Sequence, residues 1–277
     1  MNTDERDLSF KPVENPNPKT LSPEQIAHYN GEGYVAPLDL YSPAEAVANR
    51  EYFDRLLAML DGGNSYALNC FQGRCEGLYD LCLEPRILDY VEDIIGPNII
   101  CWATHYFCKM PFDEKGVPWH QDASYWPLTP SRTVTVWLAI DDADEENSAM
   151  RFIPRTHNRG HLDWKKADGP VVLDQEIVGI DDMGEPFSDN LKAGQISLHA
   201  DMLAHGSEPN ASARRRCGLT LRFCPPEVRP VNPVWEEGIE AIICRGTDPD
   251  GYWKHTERPV GDNVKPEGRR PQNLGGN

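Results

Sequence analysis

The chain has 277 residues, with 27 Lys and Arg against 44 Asp and Glu, and a formal charge of −17 at neutral pH. Hydrophobic residues make up 39% of it, which is enough to build a core and excludes a wholly disordered chain. No apolar run approaches the about 18 residues that a membrane-spanning helix needs. An acidic chain without a basic block repels phosphate backbones. We therefore expect neither a membrane nor a nucleic acid as partner, and composition leaves the oligomeric state open.

The compartment follows from the N-terminus and the cysteines. Residues 1–18 are polar and acidic, unlike a signal or transit peptide. None of the eight cysteines forms a C-x-x-C pair, which excludes a zinc ribbon and the common redox motif. We expect free thiols and a cytoplasmic protein.

The first hundred residues are predicted to form a proline-rich segment followed by helices. Residues 1–20 are expected to be disordered. Ser22 and Ser42 each precede a proline and stand three residues before a Gln or Glu, which is the pattern of a capped helix start. Three helices are predicted, from Ser22 to near Gly31, from Ser42 to Gly62-Gly63, and from about Glu84 to Ile95, where Gly96-Pro97 ends it.

From Ile99 onward the chain consists of short β-branched and aromatic runs separated by turn formers. The predicted strands are Ile99–Met110, Trp119–Trp126, Val134–Ile140, Ala149–Ile153, Val171–Ile177, Ile196–His199, Leu203–Gly206 and Cys217–Phe223. Many short strands with such punctuation indicate an antiparallel sandwich or barrel. Residues 225–277 are rich in Pro, Gly and charge and are interpreted as a tail that wraps around it. No break suggests a second domain, so residues 21–277 are predicted to form one unit.

The most informative short motif is Trp119-His120-Gln121-Asp122. Alternate side chains of a strand face the same side, so His120 and Asp122 can offer a ring nitrogen and a carboxylate oxygen to one ion. One more inward ligand would complete a facial triad. Such a triad suits non-haem Fe(II), because it leaves positions open for a co-substrate and O₂.

A second motif stands downstream, where His205-Gly206-Ser207 is followed by Asn210 and, eleven residues after the histidine, by Arg216. The two motifs together resemble the phytanoyl-CoA dioxygenase family of Fe(II)/2-oxoglutarate oxygenases, and the resemblance covers about residues 20–225. It implies a mainly β fold, a double-stranded β-helix (a jelly-roll or cupin-like barrel) with flanking N-terminal α-helices. It also implies Fe(II) as the cofactor, with 2-oxoglutarate and O₂ as co-substrates.

The resemblance assigns roles residue by residue. It implies His120, Asp122 and His205 as the catalytic iron ligands, Arg216 and Ser207 as the pair that binds the far carboxylate of 2-oxoglutarate, and Trp137 and, on a looser alignment, His105 or Tyr106 as residues beside it. A guanidinium fork matches a carboxylate bidentately, which agrees with the place given to Arg216.

Other residues could take the roles of Arg216 and His205. Arg214 shares the strand parity of Arg216, and His199 precedes His205 by six residues. For His199 a packed or hydrogen-bonded histidine is the favoured interpretation. His157 and His161 stand in a loop sequence and are interpreted as surface histidines.

The substrate is expected to be a small polar or zwitterionic molecule, since an acidic chain is a poor host for a polyanionic CoA ester. The candidate contacts near the triad are Arg222, Tyr125, Trp126, Ser124 and Thr135. Arg222 shares strand parity with Arg216 and can hold an anionic group. Tyr125-Trp126 can cradle an ammonium group by cation–π contact, or simply pack in the core. Lys109 and Arg132 are interpreted as surface bases.

Within the family, size and composition suit a 2-aminoethylphosphonate dioxygenase, which hydroxylates the carbon next to phosphorus in phosphonate catabolism. Other amino acids, amines and acyl-CoA thioesters are the alternative substrates. Two readings of another class stay open, a non-oxidative cupin-type isomerase and a non-catalytic binding barrel.

Overall fold

The computed structural model describes residues 6–60, 62–232 and 238–265. The helices are α1 (Pro23–Glu32), α2 (Pro43–Met59), α3 (Glu76–Cys82), α4 (Pro85–Ile95) and α5 (Asp122–Tyr125). The strands are β1 (Tyr34–Asp39), β2 (Ile99–Lys109), β3 (Val117–His120), β4 (Leu128–Thr129), β5 (Val134–Ala139), β6 (Arg151–Phe152), β7 (Trp164–Lys166), β8 (Gln175–Ile177), β9 (Phe187–Ser188), β10 (Gln195–Ala200), β11 (His205–Ser207), β12 (Arg216–Cys224), β13 (Arg229–Pro230), β14 (Glu240–Arg245) and β15 (Lys254–His255). No helix among these residues is both long and apolar enough to cross a bilayer.

Two sheets make up the framework. The larger has the strand order β1-β10-β5-β12-β2-β14-β15, and the smaller has the order β3-β11-β6-β9. The main core lies between the outer face of the larger sheet and the helices, where Leu219 and Leu221 of β12 join Phe53, Leu56 and Ile87. This architecture confirms the predicted mainly β fold, a double-stranded β-helix with N-terminal helices against it.

The predicted helix starts are confirmed down to their caps. Ser22 and Ser42 each form a complete capping box with the residue three positions on, and a proline opens each helix. α1 runs past Gly31 and ends at Gly33, whose φ of 92° lies in the left-handed region that favours glycine. α3 was not predicted, since no side chain caps its start and it has only seven residues.

The segment that carries His-x-Asp is not one strand, so the predicted strand Trp119–Trp126 is wrong. β3 ends at His120, and the next residues form the short helix α5, which begins at Asp122. Gln121 is buried at the junction and donates from Nε2 to the carbonyl of Met202 at 2.7 Å. The turn follows because β3 pairs with β11 only as far as His120.

Other β segments also differ from expectation. β1 and β7 were not predicted, and of the run Val171–Ile177 only Gln175–Ile177 is a strand, paired with β7. The segment after residue 224 adds β14 to the larger sheet, antiparallel to β2. Residues 233–237 and 266–277 of the expected tail lie outside the described residues.

Residues 1–20 are predicted to be disordered, but the described part, residues 6–20, lies against the domain. The buried carboxylate of Asp93 in α4 accepts hydrogen bonds from the backbone N–H groups of Lys19, Thr20 and Leu21 at 2.7–2.9 Å. Arg6 donates to the carbonyl of Ala123 in α5. Residues 1–5 lie outside the described residues. Side-chain acceptors elsewhere in the chain therefore order a segment that has no helix or strand of its own.

We predict that Asp93→Ala loosens this segment. The change leaves three backbone donors without their acceptor, at a cost of about 2–3 kcal/mol in the free energy of unfolding. Denaturant unfolding and limited proteolysis within residues 6–20 measure the effect. Asp89→Ala, a change in the same helix as Asp93, removes only a surface ion pair with Arg245 of β14. It should lower the free energy of unfolding by less than about 1 kcal/mol. Equal protease resistance in the two variants would show that Asp93 does not hold the segment.

Candidate active site

Three buried side chains with metal-ligand chemistry meet between the two sheets. Antiparallel pairing of β11 with β3 sets His205 opposite His120. Asp122 Oδ1 lies 3.7 Å from His120 Nε2 and 4.0 Å from His205 Nε2. One ligand atom from each residue lies within 4.8 Å of the other two. The structure thus brings together two ring nitrogens and one carboxylate oxygen.

Backbone carbonyls orient both histidine rings. Nδ1 of His120 is 2.8 Å from the carbonyl of Pro118, and Nδ1 of His205 is 2.9 Å from that of Leu203. Because a carbonyl only accepts, each Nδ1 carries the proton and each Nε2 lone pair is free for a metal. Two neutral imidazoles and one carboxylate are the donor set of a non-haem Fe(II) facial triad. The residues therefore fit this ion.

The charges of the triad suit metal binding. Burial by itself raises the pKa of Asp122, but the rings of His120 and His199 outweigh it, and the pKa lies well below its ordinary value. Burial, followed by the neighbouring His120, holds the pKa of His205 well below its ordinary value. A charged carboxylate and a neutral imidazole are the forms that bind a metal.

The second oxygen of Asp122 has its own neighbours. Thr135 Oγ1 donates to Oδ2 at 3.2 Å, and His199 Nε2 lies 3.8 Å from the same atom. Thr135, expected to touch the substrate, therefore holds the carboxylate. His199 is buried beside the triad, and neither of its ring nitrogens has a hydrogen-bond partner among the described residues. Of the two expected alternatives, it is therefore the packed histidine.

Arg216 faces the same cavity from β12. Its Nη2 donates to Ser207 Oγ at 3.0 Å and its Nε to the carbonyl of Ser148 at 3.0 Å. Arg214 instead forms exposed ion pairs with Asp144 and Glu146. Of the two arginines that strand parity left open, Arg216 is the one in the cavity.

Trp137 lies beside Arg216, with its ring 5.8 Å from the guanidinium carbon. The indole crosses Gly218 so closely that a Cβ at that position would lie 2.0 Å from the ring. His105 is buried with Nε2 2.9 Å from the carbonyl of Tyr66, outside the cavity lining. Tyr106 packs on Phe53 among the helices. Only Trp137 of these aromatic candidates reaches the site.

The cavity between the sheets has a volume of about 400 Å³, including its opening to solvent. Its lining combines the triad and Arg216 with apolar and polar side chains: Phe107, Val117, His120, Asp122, Trp137, Met150, His199, His205, Gly206, Ser207, Arg216, Thr220 and Arg222. Thr220 shares the strand parity of Arg216 and Arg222, a signal that the sequence contained. Phe107, Val117 and Met150 carried no such signal.

Of the predicted substrate contacts, only Arg222 lines this cavity. Ser124 Oγ contacts His161 Nε2 and Gln175 instead. Tyr125 Oη accepts from the backbone N–H of Gln175 at 2.8 Å. Trp126 lies 4.9 Å below the guanidinium of Arg222, so the ring predicted to hold an ammonium group already contacts a cation of the chain.

Two basic residues expected at the surface are buried. Lys109 donates from Nζ to the carbonyls of Lys115, Ser207 and Glu208. Burial, and next the charge of Arg216, lower the pKa of Lys109 to about 6. His157 is fully buried, with Nε2 3.1 Å from the carbonyl of Asn30. Neither location was visible in the sequence, because nothing local marks a polar residue that backbone carbonyls cover.

Comparison with known proteins identifies the family of the chain. The phytanoyl-CoA dioxygenase family profile matches residues 29–218. The peroxisomal phytanoyl-CoA dioxygenase of Bos taurus is 31% identical over 156 residues, which are 53% of this chain and 46% of that protein. The probable alpha-ketoglutarate-dependent hypophosphite dioxygenase of Stutzerimonas stutzeri is 26% identical over 160 residues, 56% of each chain. The chain thus spans about half the length of the curated relatives it matches.

Among solved structures, the apo form of the non-haem monooxygenase ThoJ superposes with a TM-score of 0.72 at 27% identity, covering 85% of this chain and 88% of that one. The family profile covers well over half of the 277 residues. The sequence match, the shared fold and the histidine–aspartate–histidine site lead to one conclusion: the chain belongs to the phytanoyl-CoA dioxygenase family.

Proposed function

We propose that the chain is an Fe(II)- and 2-oxoglutarate-dependent dioxygenase that hydroxylates a small polar or zwitterionic molecule. One observation carries this proposal: the buried group of His120, Asp122 and His205 shares a cavity with the Arg216–Ser207 pair. A site that only bound a metal ion would need no more than the three ligands of the triad. A buried arginine and hydroxyl beside it indicate a co-substrate with a carboxylate.

2-Oxoglutarate matches both halves of the cavity. Its far carboxylate can accept from Arg216 and Ser207, and its keto and carboxylate oxygens are hard ligands that Fe(II) accepts. The relative from Stutzerimonas stutzeri is named as alpha-ketoglutarate-dependent, which supports the same co-substrate. The carbonyl of Ser148 holds Arg216 Nε, and so the fork is directed before any ligand arrives.

An iron(II) ion held by the triad would supply the chemistry of O₂. That chemistry couples two conversions, of 2-oxoglutarate into succinate and CO₂, and of a substrate C–H bond into C–OH. The protein supplies orientation and a dry site. Thr135 holds the free oxygen of Asp122, and the carbonyls behind the two histidines keep Nε2 deprotonated. Phe107, Val117 and Met150 form an apolar wall that limits water.

The finer proposal is 2-aminoethylphosphonate as substrate, hydroxylated at the carbon next to phosphorus in phosphonate catabolism. Two observations support it. The net charge of −17 disfavours a polyanionic CoA ester, and one relative is named for a phosphorus oxyanion, hypophosphite. Amino acids, amines and acyl-CoA thioesters are the alternative outcomes of the substrate test.

His120→Ala should abolish substrate-dependent succinate formation, because it removes one of three metal ligands. Arg216→Met should raise the KM for 2-oxoglutarate about 30-fold or more, since a charge-assisted pair is lost. Arg214→Met, which removes only surface ion pairs, serves as the matched control and should leave both quantities unchanged. Full activity in His120→Ala would exclude the triad as the metal site.

Gly218→Ala should weaken 2-oxoglutarate binding about tenfold or more, because the new methyl group must displace Trp137 from beside Arg216. Overpacking should also lower the free energy of unfolding by about 1–3 kcal/mol. Calorimetric titration and thermal melting measure the two effects. Adding Trp137→Phe to this variant gives room for the methyl group and should recover the melting temperature. A single variant that binds 2-oxoglutarate normally would contradict the packing argument.

A turnover panel tests the substrate. Purified protein with Fe(II), 2-oxoglutarate and O₂ is offered organophosphonates, ectoine-like solutes, free amino acids or acyl-CoA thioesters, and succinate is measured. We expect 2-aminoethylphosphonate to stimulate succinate formation above the substrate-free rate. Stimulation by another compound alone would replace the finer proposal and leave the oxygenase assignment standing. If the protein neither consumes O₂ nor binds 2-oxoglutarate under any condition, the oxygenase assignment is rejected. The non-oxidative isomerase and the non-catalytic binding barrel then remain as the alternatives.

A further inference from the structure

Arg222 is a buried cation that the proposed reaction does not yet use. It lies on β12 six residues after Arg216, with Thr220 between them, and all three side chains line the cavity. Its exposed fraction is 2%. One strand therefore carries two arginines into one cavity, and the co-substrate accounts for only one of them.

The guanidinium of Arg222 lacks hydrogen-bond partners on two of its three nitrogens, and the carboxylate of Asp122 attracts its charge only through space. Its Nε and Nη1 are buried and have no hydrogen-bond partner among the described residues. Arg216, by contrast, donates to Ser207 and Ser148. Burying an unpaired charge costs free energy unless an anion compensates it. The arrangement is the one expected of a site whose anion arrives with a ligand.

Two indole rings hold the guanidinium in place. The guanidinium carbon lies 4.9 Å from the ring of Trp126 and 5.9 Å from that of Trp102. The strand register shifts here, because Arg222 pairs with Ala103 while the next residue of β12, Phe223, pairs with Cys101. Such irregularities redirect side chains at functional sites. Cation–π contact positions the fork and leaves its donor edge available.

The charge of the cavity favours an anion although the chain as a whole is acidic. Among the described residues that line it, Asp122 is the only carboxylate, and it faces the two histidine ligands. Arg216 and Arg222 give the lining two fixed positive charges. The apolar side chains of Phe107 and Met150 suit a short methylene chain.

We propose that Arg222 anchors an oxyanion of the substrate, a carboxylate or a phosphonate, and so selects small anions and zwitterions. This rests on the proposed function, because it takes the same cavity as the place of reaction. The substrate then spans from Arg222 to the triad with a C–H bond near its anionic group, and 2-oxoglutarate occupies the Arg216 end.

The test distinguishes the roles of the two arginines by first binding 2-oxoglutarate at Arg216. Full-length protein is loaded with Mn(II) and saturating 2-oxoglutarate, so that Arg216 is occupied and no turnover takes place. Methylphosphonate, acetate and the neutral acetamide are then titrated by calorimetry and by tryptophan fluorescence, to which Trp102 and Trp126 report. We expect at least one of the two anions to bind and acetamide not to bind. Whichever anion binds more tightly identifies the preferred oxyanion.

Arg222→Met should weaken the binding of that anion about tenfold to a hundredfold. Arg222→Lys should bind it with intermediate affinity, because an ammonium group lacks the bidentate fork. Arg55→Met is the matched control, since Arg55 is an exposed arginine over an aromatic ring, Tyr52, and it should change nothing. Because Arg222→Met also removes an unpaired buried charge, its melting temperature should rise by about 2–4 °C.

Other results would overturn the inference. If the wild-type protein binds 2-oxoglutarate but neither anion, or if Arg222→Met and Arg222→Lys bind the anion as the wild type does, Arg222 is not the anchor. If Arg222→Met unfolds, Arg222→Lys carries the test, and wild-type affinity in that variant would show that no bidentate fork anchors the anion. Failure of the wild type to bind Mn(II) and 2-oxoglutarate would instead reject the proposed function, and this step is measured first.

Discussion

The pairing of β3 with β11 is the contact on which the active site depends. It sets His205 opposite His120, and the carbonyls of Pro118 and Leu203, each two residues before a histidine, fix the tautomers. A slip of one residue would turn both rings to the other face, because side chains alternate along a strand. Asp122 is then supplied by the first turn of α5 rather than by the strand itself.

One strand on the opposite sheet provides most of the remaining chemistry. The inward positions of β12 carry Arg216, Thr220 and Arg222 into the cavity, and its outward positions carry Leu219 and Leu221 into the helical core. The same burial that anchors the strand desolvates its arginines. A low local dielectric strengthens the attraction between a buried arginine and an anion, so the acidic charge of the whole chain does not oppose the anions proposed for this cavity.

The accuracy of sequence-based prediction followed the range of the interactions involved. Helix starts at Ser22 and Ser42 were predictable, since a capping box lies within four residues. The order in residues 6–20 was not, because it depends on Asp93, more than seventy residues away. The His-x-Asp segment pointed to side chains that do meet in the structure, but by an incorrect route, since parity along a strand does not describe a chain that turns into a helix after His120.

The sequence by itself determined the family and the mainly β fold and singled out the candidate metal ligands, because those depend on residue types at set spacings along the chain. Only the tertiary structure showed that Arg216 rather than Arg214 faces the cavity. It also showed that Thr135 contacts Asp122 instead of the expected substrate, and that Lys109 is buried against three backbone carbonyls. It also placed Trp126 beneath Arg222. These facts depend on which groups from distant segments meet and on which of them find a partner, and a linear spacing contains neither.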